Sequence, residues 1–175
     1  MEPQLRQADF IILKLTKEQV PAVARMEAEL FSVPWSEKAF ADTLGMEHVL
    51  FYTASVDGRL AGYCGIYLAA DEGEITNVAV APEYRRRKIA QSLLLTVMAE
   101  AHEKGAQRIF LEVRSRNAAA ISLYRKHGFA AIGTRGNYYQ YPQDDALVMM
   151  YEYADIYTKK QQEADPSPGT KYIDK

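Results

Sequence analysis

Four consecutive cations, Arg85, Arg86, Arg87 and Lys88, lie between a strand-like segment and a strongly helical one. The first turn of a helix presents backbone N–H groups without partners and the positive end of the helix dipole, and both attract phosphate. Cations at this end oppose the dipole at a cost of about a few tenths of a kcal/mol each, which favours an anionic ligand. A doubly phosphorylated small molecule fits this pattern. A solvated basic loop or a site for RNA phosphate fits it as well.

Two residues further along the chain are suited to moving protons. Glu112 lies among apolar residues of a predicted strand, where it could act as a general base or pair with Arg114, its neighbour on the same face. Tyr124 lies on the helix that follows, where it could donate a proton or simply be a tethered core residue. Asn117 is the expected N-cap of that helix.

Two segments that contain these residues resemble a known family. Residues 75–94, ITNVAVAPEYRRRKIAQSLL, are similar to the central motif of GNAT acetyltransferases, whose loop has Gln or Arg first, Gly fourth and Gly or Ala sixth. Arg85 and Ala90 match the first and last of these positions, and Lys88 replaces the glycine. Residues 111–129 resemble the signature of the RimI type of this superfamily, and the match extends over roughly residues 10–153.

The resemblance implies an acetyl-CoA-dependent N-acetyltransferase that acts on the α-amine of a protein N-terminus. Such an amine has a pKa of about 7.7–8.0 and must lose a proton, while the departing thiolate, with a thiol pKa of about 8.5, must gain one. The resemblance assigns the base to Glu112 and the acid to Tyr124. It implies coenzyme binding by Val78, Ala79, Val80, Arg85, Arg86, Arg87, Lys88, Ile89, Ala90, Gln91 and Asn117.

An apolar loop and an aromatic loop are candidates for the acceptor side. The resemblance implies that Phe31, Pro34, Trp35, Tyr138 and Tyr139 flank the peptide N-terminus, although the same residues could lie at the edge of the core. The expected acceptor is a small-subunit ribosomal protein. The alternatives are a GNAT enzyme acting on lysine side chains or a small amine, and a non-catalytic module that binds nucleotide or RNA.

Period and turn signals predict the elements that must position these residues. Strands are expected at residues 10–15, 49–56, 60–68, 74–80, 108–113, 129–136 and 146–153. Helices are expected from Thr16 to the segment 32–35, and at residues 36–45, 89–104 and 118–127. The order β-α-α-β-β-β-α-β-α-β-β predicts an α/β fold with a mixed sheet and helices on both faces.

Length and composition limit the remaining possibilities. The 175 residues suit one domain, expected at residues 1–155, followed by a polar tail at 156–175 that we expect to be disordered. A net charge of −2 argues against direct nucleic-acid binding, and one cysteine suggests a reducing, cytoplasmic setting with no metal cluster. No apolar run approaches the ~20 residues of a spanning helix, so no membrane partner is expected. We expect a monomer or weak dimer.

Overall fold

The computed structural model describes residues 9–154, which form a seven-stranded sheet with helices on both faces. The strands are β1 (Ile11–Lys14), β2 (Val49–Val56), β3 (Arg59–Ala69), β4 (Glu72–Val80), β5 (Arg108–Arg114), β6 (Ala130–Gln140) and β7 (Gln143–Glu152). The helices are α1 (Val20–Leu30), α2 (Glu37–Thr43), α3 (Ile89–Glu103) and α4 (Ala118–Lys126), with 3-10 helices at Lys17–Gln19 and Pro82–Tyr84. The predicted tail at 156–175 lies outside the described residues.

The strand order is β1-β2-β3-β4-β5-β7-β6, and the pairing is antiparallel except between β4 and β5, which are parallel. The predicted mixed sheet is therefore confirmed. No helix of residues 9–154 is long and apolar enough to cross a membrane.

Two hydrophobic cores lie on opposite faces of the sheet. Leu50 on β2 packs into the core formed with α3 and α4, whereas its neighbour Phe51 packs into the core formed with α1 and α2. This alternation follows from the two-residue period of a strand. On β5 the buried residues Ile109, Leu111 and Val113 belong to the α3 side, so Glu112 lies on the opposite face.

The parallel strands β4 and β5 pair over only part of their length. Their register runs from Glu72 opposite Arg108 to Ile75 opposite Leu111. Beyond this point β4 continues to Val80 on β3, while β5 continues to Arg114 on β7. The register of β4 against β3 is also irregular here, because Gly65 pairs with Asn77 and the next residue, Ile66, pairs with Ile75. A β-bulge changes the direction of a strand, and this bulge occurs where β4 and β5 separate and leave a gap.

Two expectations for the elements are corrected. The helix expected from Thr16 begins with a 3-10 turn, and α1 starts at Val20 with Pro21 in its first turn, where the missing N–H of proline costs least. Strand β6 extends to Gln140, so Tyr138 and Tyr139 lie on a strand and not on a loop. The register of β6 is irregular between Arg135 and Tyr139, and Asn137 has a φ of 52°, which together describe a bulge that a pattern of strict alternation cannot predict.

Candidate active site

The basic loop enters α3 with a backbone that suits glycine better than it suits the residues present. Arg86 and Lys88 have φ values of 66° and 64°, and Lys88 is the N-cap of α3. Lys88 therefore holds the left-handed conformation that its position in the motif would give to glycine. The side chains of Arg85, Arg86, Arg87 and Lys88 are exposed around the helix N-terminus, where Ile89 is buried and Ala90 and Gln91 are half-buried.

The free edge of β4 lies next to this loop. The N–H of Ala81 donates to Ala61 O on β3 at 2.9 Å, so alternation directs the backbone groups of Val80 and Val78 to the other edge, toward the gap. Val80 O accepts a hydrogen bond from Arg85 Nε at 3.3 Å. The side chains of Val78 and Val80 pack toward α3, and Ala79 packs into the core on the α1 side. The strand thus offers backbone hydrogen-bonding groups to a ligand in the gap.

Glu112 is held by residues of β6. Arg135 Nη1 lies 2.9 Å from Glu112 Oε1. The Tyr138 hydroxyl also faces this carboxylate, and hydrogen bonding to Glu112, together with burial, raises the pKa of Tyr138 to about 12. The alternative that Glu112 pairs with Arg114 is wrong. Arg114 instead donates to the carbonyls of Pro142 and Tyr141 at 2.7 and 3.0 Å. Both carbonyls lie in the hairpin between β6 and β7, which the long side chain of Arg114 reaches.

Tyr124 lies on the other face of the sheet, on α4. Its side chain is 7% exposed and packs edge-on against Phe129, with ring centroids 5.7 Å apart. Burial raises the pKa of the Tyr124 phenol, and the neighbouring Cys64 and Tyr139 raise it further. The phenol is therefore protonated at neutral pH. The predicted cap of α4 is confirmed, since Asn117 Oδ1 accepts from Ala120 N at 3.1 Å.

Tyr139 lies within electrostatic range of Glu112 and Tyr124, the predicted base and acid. Burial raises the pKa of Tyr139, and the negative charge of Glu112 raises it further. The same phenol contributes to the raised pKa of Tyr124, so Tyr139 is an electrostatic neighbour of both residues. Its ring also lies 4.2 Å from the guanidinium carbon of Arg114. Glu112 on β5 and Tyr124 on α4 thus lie on opposite faces of the sheet, and Tyr139 lies within electrostatic range of both.

The predicted acceptor residues fall into two groups. Phe31 and Pro34 are exposed on the loop between α1 and α2. Trp35 is half-buried, with its ring 5.4 Å from that of Phe40. Trp35 therefore lies at the edge of the core, which was the alternative to its role beside the peptide N-terminus. Tyr138 and Tyr139 meet edge-on, with ring centroids 5.1 Å apart, beside Glu112.

Sequence reasoning overlooked two residues of this region, Arg135 and Glu27. Arg135 carries no local signal, because its contact with Glu112 spans three strands. Glu27 did carry a local signal, because it is a charged residue on an apolar helical face. That face contains Val20, Val23 and Leu30 at spacings of three and four. Within residues 9–154, no three His, Cys, Asp or Glu side chains are grouped as a metal site.

Comparisons with known proteins agree on one family. The sequence model of the acetyltransferase (GNAT) family matches residues 20–129. The chain is 35% identical over 140 residues to the ribosomal protein bS18-alanine N-acetyltransferase of Escherichia coli K12, covering 79% of this chain and 94% of that protein. It is 34% identical over 159 residues to the N-alpha-acetyltransferase RimI of Mycobacterium tuberculosis H37Rv, covering 87% of this chain and 92% of that protein.

A solved structure gives the same result. The crystal structure of the ribosomal-protein-S18-alanine N-acetyltransferase from Escherichia coli superposes with a TM-score of 0.75 at 33% identity. The superposition covers 84% of this chain and 97% of that one.

Proposed function

Since the chain belongs to the GNAT acetyltransferase family, we propose that it transfers the acetyl group of acetyl-CoA to the N-terminal α-amine of a protein. The observation that carries the proposal is the gap that opens between β4 and β5 beyond Ile75 and Leu111. In the proposed site, Glu112 on β5 and Tyr124 on α4 would act on the reactants from opposite faces of the sheet. The proposed acceptor is a small-subunit ribosomal protein in the cytoplasm. The names of the relatives support it, because they specify the alanine of ribosomal protein bS18 or an N-alpha amine.

The described residues fit the coenzyme, which supplies an acetyl group activated as a thioester. The loop from Arg85 to Gln91 would hold the diphosphate through backbone N–H groups and exposed cations, and Lys88 already has the glycine-like backbone that this requires. Val78 and Val80 would hold the amide groups of the pantetheine arm as an added half-strand pairs with a sheet edge. Asn117 caps α4, and the family resemblance implies that it would also contact the coenzyme.

Glu112 and Tyr124 would move the two protons of the reaction. Glu112 accepts the proton of the attacking amine, directly or through water, and Arg135, 2.9 Å from its carboxylate, would hold it in place. The new bond forms between the amine nitrogen and the acetyl carbon as the carbon–sulfur bond breaks. Tyr124 gives its phenolic proton to the departing sulfur, because a phenol is protonated at neutral pH even at its ordinary pKa of about 10.

The acceptor channel we propose lies between the loop at residues 31–35 and the aromatic pair Tyr138 and Tyr139. A flexible N-terminus can enter such a channel by its backbone, whereas a lysine side chain branches from a chain that continues in both directions. Shape is therefore the proposed basis for choosing the α-amine over the ε-amine.

The test is acetylation of synthetic peptides that begin with the alanine N-terminus of a small-subunit ribosomal protein. We expect transfer to the free α-amine and none when that amine is blocked and the lysines are left free. Transfer to lysine in the blocked peptide would establish the side-chain alternative. Absence of transfer to either amine would reject the enzyme reading.

The variant Glu112→Gln should lower kcat by about 10²-fold, in the range of general-base catalysis, with little change in the KM of the peptide. The exposed Glu74 on β4 offers a matched control, and Glu74→Gln should leave kcat unchanged. Stability should hardly change in Glu112→Gln, since a partly exposed ion pair contributes about 0–1 kcal/mol. Turnover equal to that of the wild type would remove the proposed base.

A further inference from the structure

The buried carboxylate of Glu27 is a feature that the acid–base chemistry does not use. Glu27 lies on α1 with 1% of its surface exposed. No Lys, Arg or His of residues 9–154 forms an ion pair with it. Burial raises the pKa of Glu27, which reflects the cost of removing a carboxylate from water. A group with this cost is retained only where its hydrogen bonds are satisfied.

Four hydrogen bonds satisfy the Glu27 carboxylate, and they come from three different elements. Trp35 N, at the end of the loop that follows α1, donates to Oε1 at 3.1 Å. Asn77 Nδ2 on β4 donates to Oε1 at 2.9 Å and to Oε2 at 2.8 Å. The Tyr63 hydroxyl on β3 donates to Oε2. One side chain on α1 therefore joins the loop, β3 and β4.

Glu27 also fixes both ends of the acceptor loop, defined here as residues 31–35. Its backbone carbonyl accepts from Phe31 N at 2.9 Å, where α1 ends, and its side chain accepts from Trp35 N at the other end. The residues between these anchors are exposed, and Val33 is 79% exposed. Without the carboxylate, the far end of the loop would lose its hydrogen bond to α1 and keep the packing of the Trp35 ring and its continuity with α2, which Ser36 caps.

We propose that Glu27 is a positioning residue that fixes the acceptor loop against β4, so that the acceptor and the coenzyme meet in register. The inference rests on the proposed function for the roles of the loop and of β4. Glu27 cannot touch either substrate, because its side chain is enclosed. It acts through its hydrogen bonds with Trp35 of the acceptor loop and with Asn77 of β4, and the same carboxylate accepts both bonds.

The experiment compares Glu27→Ala and Glu27→Gln with Tyr63→Phe, which removes one donor and nothing else. Tyr67→Phe is the matched control, because Tyr67 lies on the same strand and its ring is 6.1 Å from that of Trp35, but Glu27 does not accept from it. Steady-state kinetics give kcat and the KM of the peptide, and equilibrium titration gives the Kd of coenzyme A. Acrylamide quenching reports the loop directly, because Trp35 is the single tryptophan of the chain.

Glu27→Ala should raise the peptide KM by about tenfold, the equivalent of one or two hydrogen bonds, and Tyr63→Phe by about threefold. The kcat at saturating peptide and the Kd of coenzyme A should stay within about twofold, because the lost interaction acts on the acceptor loop. Glu27→Gln should restore the KM to within about threefold of the wild type, since its amide oxygen can still accept from Trp35 N and Asn77 can rotate its amide. Quenching of Trp35 should increase in Glu27→Ala and remain unchanged in Tyr67→Phe.

Two results would overturn the inference. One is a loss of kcat in Glu27→Gln as large as that in Glu112→Gln, which would make the carboxylate a participant in proton transfer. The other is an unchanged peptide KM and unchanged quenching in Tyr63→Phe and Glu27→Ala. Should Glu27→Ala fail to fold, Tyr63→Phe decides by the same measurements. Quenching needs no substrate, so it decides the role of Glu27 in holding the loop even if the wild type acetylates no peptide.

Discussion

Tyr124 and Glu112, the proposed acid and the proposed base, lie in different environments. Tyr124 is enclosed between α4 and β3, near the buried thiol of Cys64, where a phenolate would lose its hydration. Glu112 is partly buried, with 17% of its side chain exposed, and the guanidinium of Arg135 lies 2.9 Å from its carboxylate. The enclosed phenol therefore keeps its proton to higher pH, and the carboxylate of Glu112 lies beside a cation.

The raised pKa of Tyr124 predicts the alkaline side of the pH profile. A phenol whose folded-state pKa is raised keeps its proton until the pH passes that higher value, so the acid stays competent beyond its ordinary pKa of about 10. We expect kcat to remain level from about pH 9 to pH 10, where an amine with a pKa of about 7.7–8.0 is almost entirely neutral. Tyr124→Phe should lower kcat by about 10²-fold across this range.

The control is Tyr151→Phe, which changes a phenol whose ring also packs on Phe129, at 5.6 Å. It should leave kcat unchanged. A fall in the wild-type kcat between pH 8 and pH 10 that disappears in Tyr124→Phe would contradict the raised pKa of Tyr124, because it would mean that the phenol loses its proton within that range. An unchanged kcat in Tyr124→Phe would remove the proposed acid.

At the scale of the elements, β3 holds β4 in place by close approach of their backbones. A Cβ at Gly62 would lie 2.5 Å from Ala79 O, which is on β4 and cannot move aside as a flexible side chain could. Gly62→Ala should therefore displace β4 and lower the free energy of unfolding by about 1–3 kcal/mol. The KM of acetyl-CoA should rise as well, because the backbone of β4 at Val78 and Val80 is the proposed coenzyme edge.

Gly133→Ala on β6 is the matched substitution, since nothing lies within 4 Å of a Cβ at that position. Its free energy of unfolding should stay within about 0.5 kcal/mol of the wild type. Urea denaturation of both variants provides the comparison. Equal stability of the two would show that β4 shifts at no cost.

Elements with a local signal were predictable from the sequence, and contacts across strands were not. The turn at Asp57 and Gly58 has φ values of 47° and 75°, as its type I′ signature requires, and Ser36 caps α2 through Ala39 N at 3.1 Å. Arg135 was missed because Glu112 pairs with Val148 on β7, and Val148 with Gly133 on β6, two residues before Arg135. The diagonal contact between Glu112 and Arg135 depends on the register of three strands, which the sequence of any one strand does not determine.

The roles of Glu112 and Tyr124 came from the family resemblance and not from their own surroundings in the sequence. Apolar alternation placed Glu112 on the face opposite Leu111, which the structure bears out. Neither periodicity nor composition could predict that β4 and β5 separate beyond Ile75 and Leu111. The separation arises because each strand follows a different outer neighbour beyond Ile75 and Leu111.

For the whole molecule, we propose that the open end of the sheet and the N-terminus of α3 form one surface that binds the coenzyme. Among residues 9–154, β4 has no strand partner on the side of the gap beyond Ile75, and exposed cations surround the N-terminus of α3. A ligand that binds only the folded chain stabilises it by about 2.7 kcal/mol at one hundred times its Kd. For a chain of this size we expect coenzyme A to raise the Tm by about 5–10 °C under that condition.

The variant Lys88→Gly separates backbone from charge in this stabilisation. Glycine relieves the left-handed conformation of Lys88, so the free protein should gain about 1 kcal/mol in its free energy of unfolding. Backbone N–H groups remain and one exposed cation is lost, so the Kd of coenzyme A should weaken by no more than about threefold, and less at high salt where exposed charges are screened. Thermal unfolding with and without coenzyme A, at low and high salt, measures both effects. A Tm that coenzyme A leaves unchanged, together with salt-dependent binding of RNA, would instead identify the cations as a nucleic-acid contact.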